Sequence, residues 1–153
     1  MLNDLRRRRF IARLLAFCAW PLVAARAADD ASESVEVMVL KVTGGKKVQP
    51  GRVTLDLPQF ADNGNSVSLK VSVDSPMTAT EYVKSIHLYG PRNPRPNIAN
   101  FYLGPRAGRA QISTRVRLGG SQRVLAVAAL SDGTFWSATA DVVVTLSACY
   151  DAT

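Results

Sequence analysis

Few side chains in this sequence can form a covalent bond or hold a metal. The 153 residues include two cysteines, Cys18 and Cys149, one histidine, His87, and three methionines. A zinc or copper site needs three or four converging soft ligands. No CxxC, HExxH or CxxCH run supplies them, so no metal site is expected. A Cys149–His87 pair would make a thiol hydrolase, but a nucleophile in a terminal tail is hard to hold in fixed geometry. His87 lies between Ile86 and Leu88 and is expected on the polar face of a strand. No glycine-rich phosphate loop leads into a helix. Asp56, Asp62 and Asp74 sit near turn signals, where carboxylates mostly cap or face solvent. Cys149 remains, in a polar tail that follows the last apolar strand. A thiol at a chain end suits a carrier: one enzyme can load it and another can receive it, while the folded body supplies docking surfaces.

The charge pattern says where such a protein works. Lys and Arg number 19 against 12 Asp and Glu, a formal +7, which by itself suggests nucleic acid or an anionic membrane. Six of the 19 lie in the first 27 residues: Arg6, Arg7, Arg8, Arg9, Arg13 and Arg26. The remainder carries only +2. Residues 1–27 read as an export signal. Arg6–Arg9 form a basic start, Leu14–Ala25 an uncharged run, and Ala25-Arg26-Ala27 a small-x-small cleavage site. That run would span about 18 Å as a helix, too short for a bilayer core of about 30 Å. Arg7, Arg8 and Phe10 fit the twin-arginine pattern. Cys18 follows the bulky Phe17, unlike a lipoprotein cysteine, so no membrane anchor is expected. Cleavage leaves Cys149 as the single mature thiol, and a lone thiol in an exported protein implies an intermolecular bond or a working sulfur.

The mature chain must then position that thiol. Hydrophobic residues make up 47% and charged residues 20%, enough for one core. Short alternating strands are expected at Val53–Leu57, Val67–Val73, Tyr82–Tyr89, Ile98–Leu103, Ala110–Val116, Arg123–Leu130, Phe135–Thr139 and Val142–Leu146. Turns are expected at Asp62-Asn63-Gly64-Asn65, Gly119-Gly120 and Ser131-Asp132-Gly133, with a proline-rich loop at 91–96. This pattern predicts an all-β, immunoglobulin-like antiparallel β-sandwich. Residues 34–42 are ambiguous between strand and helix. The resulting division is a cleaved signal 1–27, an N-terminal segment 28–45, a sandwich 46–146 and a carrier tail 147–153. Arg92, Arg95, Arg106, Arg109, Arg115 and Arg117 read as a solvated face or the rim of a protein interface. No nucleic-acid partner is expected, because the neighbouring aromatics follow no binding signature.

Several ordered stretches resemble one family. They include Gly44-Gly45-Lys46, Val53 to Pro58, Asp62-Asn63-Gly64-Asn65, Val71 to Thr78 and Tyr82 to His87. Others are Gly108-Arg109-Ala110, Ser113 to Leu118, Ser131 to Trp136 and Val142 to Thr145. Together these resemble SoxY, the sulfur-compound carrier subunit of the periplasmic Sox thiosulfate-oxidation system, over roughly residues 43–149. The resemblance implies an immunoglobulin-like sandwich paired with a SoxZ-like subunit and exported to the periplasm by the twin-arginine route. It implies no enzyme activity and no resident cofactor. The substrate would be a covalent sulfur adduct, thiosulfonate or persulfide, on Cys149. The haem enzyme SoxAX would load it, the hydrolase SoxB would release sulfate, and SoxCD, where present, would oxidise the remaining sulfur. Family tails end in Gly-Gly-Cys-Gly-Gly, whereas this one reads Ser147-Ala148-Cys149-Tyr150-Asp151. Ser147 and Ala148 are still small. Tyr150 adds a ring beside the sulfur, and Asp151 adds negative charge that disfavours the thiolate. A divergent binding or assembly subunit that no longer carries sulfur is the alternative reading. The export reading is checked by N-terminal sequencing of the secreted protein, which is expected to begin at Ala28. Lysines in place of Arg7 and Arg8 are expected to leave the precursor in the cytoplasm.

Overall fold

The structure, a computed structural model, describes residues 33–148. The export signal and Cys149, Tyr150 and Asp151 lie outside the described residues. Elements run in the order α1 (Val35–Thr43), β1 (Val48–Pro50), β2 (Val53–Asp56), β3 (Phe60–Asn63), β4 (Val67–Val73) and β5 (Val83–Tyr89). They continue with β6 (Asn97–Tyr102), a 3₁₀ turn (Pro105–Ala107), β7 (Gln111–Val116), β8 (Gln122–Leu130) and β9 (Phe135–Leu146). One sheet has the order β1-β9-β8-β5-β6, with β3 also on β9, and the other has the order β2-β4-β7. The expected immunoglobulin-like sandwich is present, with two parallel pairings in an otherwise antiparallel set. β1 lies along the first part of β9 and β3 along its last part. The two strands expected at Phe135–Thr139 and Val142–Leu146 are one 12-residue strand. Ala140-Asp141 does not break it, because both residues stay paired with β8.

Alternation explains the small sheet. In β4, Val67, Leu69, Val71 and Val73 point inward, while Ser68 and Lys70 are exposed. The period-2 pattern fixes register, since a one-residue slip would turn the apolar set outward. Across the core sit Ile86, Leu88, Val124, Ala126 and Ala128, all fully buried. At roughly 1.5–3 kcal/mol per buried aliphatic side chain of Val or larger size, this layer outweighs solvent-screened surface ion pairs such as Arg123–Asp141.

The central strands β5 and β8 of the large sheet are buried on both faces over most of their length, which the sequence does not announce. Residues 34–42 resolve as a helix despite their β-branched content. Ser34 caps the start by accepting from the Val37 N–H at 3.4 Å, and Gly44 ends the helix in the left-handed conformation at φ 61°. Val35, Met38, Val39 and Val42 share one face and pack against Tyr89, Val127, Ala129 and Phe135 on the outer side of the sheet. His87 lies on that side and is only 6% exposed, so its expected place on a polar face is corrected. The face is covered, and the polar ring is satisfied by hydrogen bonds.

The β8–β9 hairpin shows local sequence at work. Asp132 Oδ1 accepts from the Thr134 N–H at 2.8 Å and from its hydroxyl at 2.7 Å, while Gly133 supplies φ 80°. These hydrogen bonds, the Thr134 hydroxyl foremost, hold the Asp132 carboxyl below its usual range. A lowered carboxyl stabilises the fold above its unfolded pKa of about 3.9 and loses that contribution as pH falls through the folded value. The wild type is therefore expected to melt about 1–3 °C above Asp132→Asn at pH 6, a small margin because the turn is exposed. The two should converge as the pH falls to 3 and below in parallel thermal melts.

Candidate functional site

The element that presents Cys149 is β9, and its end is held from two sides. On one side, the Gly64 N–H donates to the Leu146 carbonyl at 2.7 Å, continuing the β3–β9 pairing that sets Asn63 opposite Leu146. On the other side, the Ala148 N–H donates to the Leu118 carbonyl at 3.2 Å, and the Leu118 N–H donates to the Gly64 carbonyl at 2.8 Å. Three backbone segments thus close a ring of hydrogen bonds at the foot of the tail. Its last member, Ala148, immediately precedes Cys149.

The ring requires a glycine. A Cβ on Gly64 would lie 2.3 Å from the Leu118 oxygen, 2.8 Å from the Ala148 nitrogen and 3.0 Å from a Val144 methyl. Two of those atoms are backbone and cannot swing aside. Asn63-Gly64 reads in sequence as a turn that wants positive φ. Gly64 is not among the glycines with positive φ, such as Gly44, Gly51 and Gly133. It serves close approach instead.

A polar hub braces the same corner. Asn93, between the prolines of the 91–96 loop, donates from Nδ2 to the Arg117 carbonyl at 2.9 Å. Its Oδ1 accepts from the Gly119 N–H at 2.8 Å and from Gln122 Nε2 at 2.9 Å. Gln122, buried at the start of β8, accepts from the Arg92 N–H at 3.0 Å. The Ser121 hydroxyl accepts from the Val144 N–H at 2.9 Å and tethers β9 two residues before its end. Sequence reasoning passed over Gly64 as a site residue and missed Asn93, Gln122 and Ser121. The only signal was an amide residue inside a proline-rich loop, and its partners lie 24 to 29 residues away in sequence.

Of the expected site residues, Ser147 and Ala148 are placed at this root, Ser147 beside Gly120. Cys149, Tyr150, Asp151, Arg7, Arg8, Phe10, Ala25 and Ala27 lie outside the described residues. His87 is committed elsewhere. Its Nδ1 bonds Asn100 Oδ1 at 2.8 Å and its Nε2 bonds Ser85 Oγ at 2.9 Å. With Oδ1 able only to accept, Nδ1 donates to it, and Nε2 bonds the Ser85 hydroxyl. Neither ring nitrogen is left for a thiol, and both Ser85 and His87 are buried. The cluster ties β5 to β6. Among the described residues no three His, Cys, Asp or Glu side chains converge to hold a metal.

The family model described as "Sulfur oxidation protein SoxY" matches residues 39–149. The chain belongs to the SoxY family. The match runs from within α1, through the whole sandwich, to Cys149. Among solved structures, the sulfur carrier protein SoxY from Chlorobium limicola f thiosulfatophilum is similar at 23% identity and a TM-score of 0.62, covering 74% of this chain and 97% of that one. A superoxide reductase (neelaredoxin) from Ignicoccus hospitalis is similar at 18% identity and a TM-score of 0.55, covering 61% and 80%. A putative superoxide reductase from Thermotoga maritima reaches 15% and 0.52, covering 64% and 87%. At these identities the likenesses show a shared sandwich and nothing of its chemistry. No curated protein is similar enough to count as a match. SoxY membership assigns the chain to sulfur oxidation. No helix among the described residues is long and apolar enough to cross a membrane.

The glycine requirement of the SoxY tail root is directly testable. Gly64→Ala is expected to cost about 1–3 kcal/mol by overpacking and to speed hydrogen exchange at the Ala148 amide. Gly104→Ala, where an added Cβ meets nothing within 4 Å, is the matched control and should change neither. Equal melting temperatures and equal exchange in the two variants would contradict the ring.

Proposed function

We propose that this chain is a periplasmic sulfur carrier that binds thiosulfate-derived intermediates on Cys149 and presents them to partner enzymes. The observation that carries this reading is the family match extending to residue 149, which puts Cys149 inside the family region. The hydrogen-bonded root supports it further, because it fixes the backbone immediately before Cys149.

The loading step would join the Cys149 sulfur to the outer sulfur of thiosulfate. Cys–S⁻ and ⁻S–SO₃⁻ give Cys–S–S–SO₃⁻ and two electrons, which a haem enzyme of the SoxAX kind would accept. Hydrolysis by a SoxB-like enzyme would break the bond between the outer sulfur and the sulfonate. Water enters, sulfate and two protons leave, and a persulfide, Cys–S–S⁻, stays on the arm. SoxCD would oxidise that persulfide where it is present. The chain itself would contribute the thiol, its position and its docking surface. Phe60 and Val143, opposite each other in β3 and β9, are exposed close to the root. They offer apolar surface of the kind that a SoxZ-like subunit or a docking enzyme covers.

Intact-mass spectrometry of the protein from cells growing on thiosulfate is expected to show an adduct that maps to Cys149. Cys149→Ser should remove the adduct and abolish thiosulfate oxidation while leaving the melting temperature unchanged. Normal sulfur oxidation by Cys149→Ser would instead favour a binding or assembly subunit that does not carry sulfur.

A further inference from the structure

The tail root has a cationic neighbour. Between the edge strands β6 and β7 runs a groove of about 290 Å³, lined by Asn93, Arg95, Asn97, Thr114, Arg115 and Arg117 over a floor that includes Ile98 and Val116. Three arginines are among its lining residues and no carboxylate is. The ion pairs among the described residues engage Lys41, Arg52 and Arg123, and none engages Arg95, Arg115 or Arg117. Arg115 donates to the neutral Ser66 hydroxyl at 3.2 Å, which leaves its charge unmatched. Like charges gathered in one cleft raise its potential and favour an anion. Guanidinium forks match the paired oxygens of a tetrahedral oxyanion.

The groove also lies beside the point where the tail leaves the fold. The extended segment Arg117–Leu118 separates the two. Its Leu118 carbonyl accepts from Ala148, and its Arg117 carbonyl accepts from Asn93, a residue of the groove. Root and groove therefore flank this one segment, about two strand spacings, roughly 10 Å, apart. Arg117 belongs to the segment that bonds the root.

We propose that the groove of Arg95, Arg115 and Arg117 binds the sulfonate group of a sulfur oxyanion, either free thiosulfate or the thiosulfonate carried on Cys149. The arm-borne source rests on the carrier reading above; the free source does not. Binding would neutralise the crowded cations and hold a loaded arm against the body until a partner enzyme releases it.

The test compares the full chain with Arg95→Gln/Arg117→Gln, both exposed positions, and with Arg106→Gln as a single-charge control outside the groove. Thermal melts confirm that the variants remain folded. Free binding is read by titrating thiosulfate into the Cys149→Ser background and following amide shifts of residues 93–99 and 114–117, with chloride at equal ionic strength as reference. Saturable shifts should appear, and the double variant should bind at least tenfold more weakly. For the arm-borne source, tetrathionate loads Cys149: the thiolate displaces thiosulfate and leaves Cys–S–S–SO₃⁻. Dithiothreitol then strips the adduct, and mass spectrometry follows the rate. Removal should be at least threefold slower in the wild type than in the double variant, with the difference lost in high salt. Protection without free binding assigns the site to the arm, and free binding without protection assigns it to the soluble anion. Neither effect, or equal effects in Arg106→Gln, overturns the proposal. If thiosulfate-grown cells yield no adduct on Cys149, the carrier reading fails while the free titration still reports on the groove.

Discussion

Three backbone segments meet at Gly64 with no room for a side chain between them, and much of the molecule follows from that contact. β3 can run parallel to the end of β9 because the chain after it passes within hydrogen-bonding distance of both Leu146 and Leu118. Leu118 uses its N–H and its carbonyl in the same ring while its side chain is fully buried. The link from core to tail root is therefore one residue long. Placing Cβ atoms in such a contact would force the β9 end and the 117–118 segment apart and leave buried amides without partners, a cost of about 1–3 kcal/mol for each.

The root is braced from the far side by side chains. Asn93 makes three hydrogen bonds, and with Gln122 it fastens the proline-rich loop to the turn that leads into β8. Proline restricts the loop, and the amides supply donors and acceptors that proline lacks. The same corner adjoins the groove lined by Arg95, Arg115 and Arg117.

Covering the large sheet with α1 settles the role of the single histidine. Its pattern in β5 matches a half-exposed strand, yet the helix face of Val35, Met38, Val39 and Val42 and the side chains of β6 close over that side. A histidine placed there must have both nitrogens satisfied, and Ser85 and Asn100 do so. His87 is consequently committed to joining β5 to β6.

Read alone, the sequence determined the class of the fold and the place of most strands. These are properties of local pattern: period-2 apolar alternation and turn residues such as Asp132-Gly133. It could not place β1 and β3, three and four residues long, because their stability comes from parallel pairing with β9 rather than from their own composition. It could not choose between helix and strand for residues 34–42, where β-branched side chains competed with a good cap and a helical apolar face. Only the tertiary structure decided that Gly64 serves close approach and that Asn93 is a hub. Only it placed Arg95, Arg115 and Arg117 around one groove beside the tail root. Each of these depends on segments more than twenty residues apart coming within a few ångströms, and distances of that kind are set by packing the two sheets together.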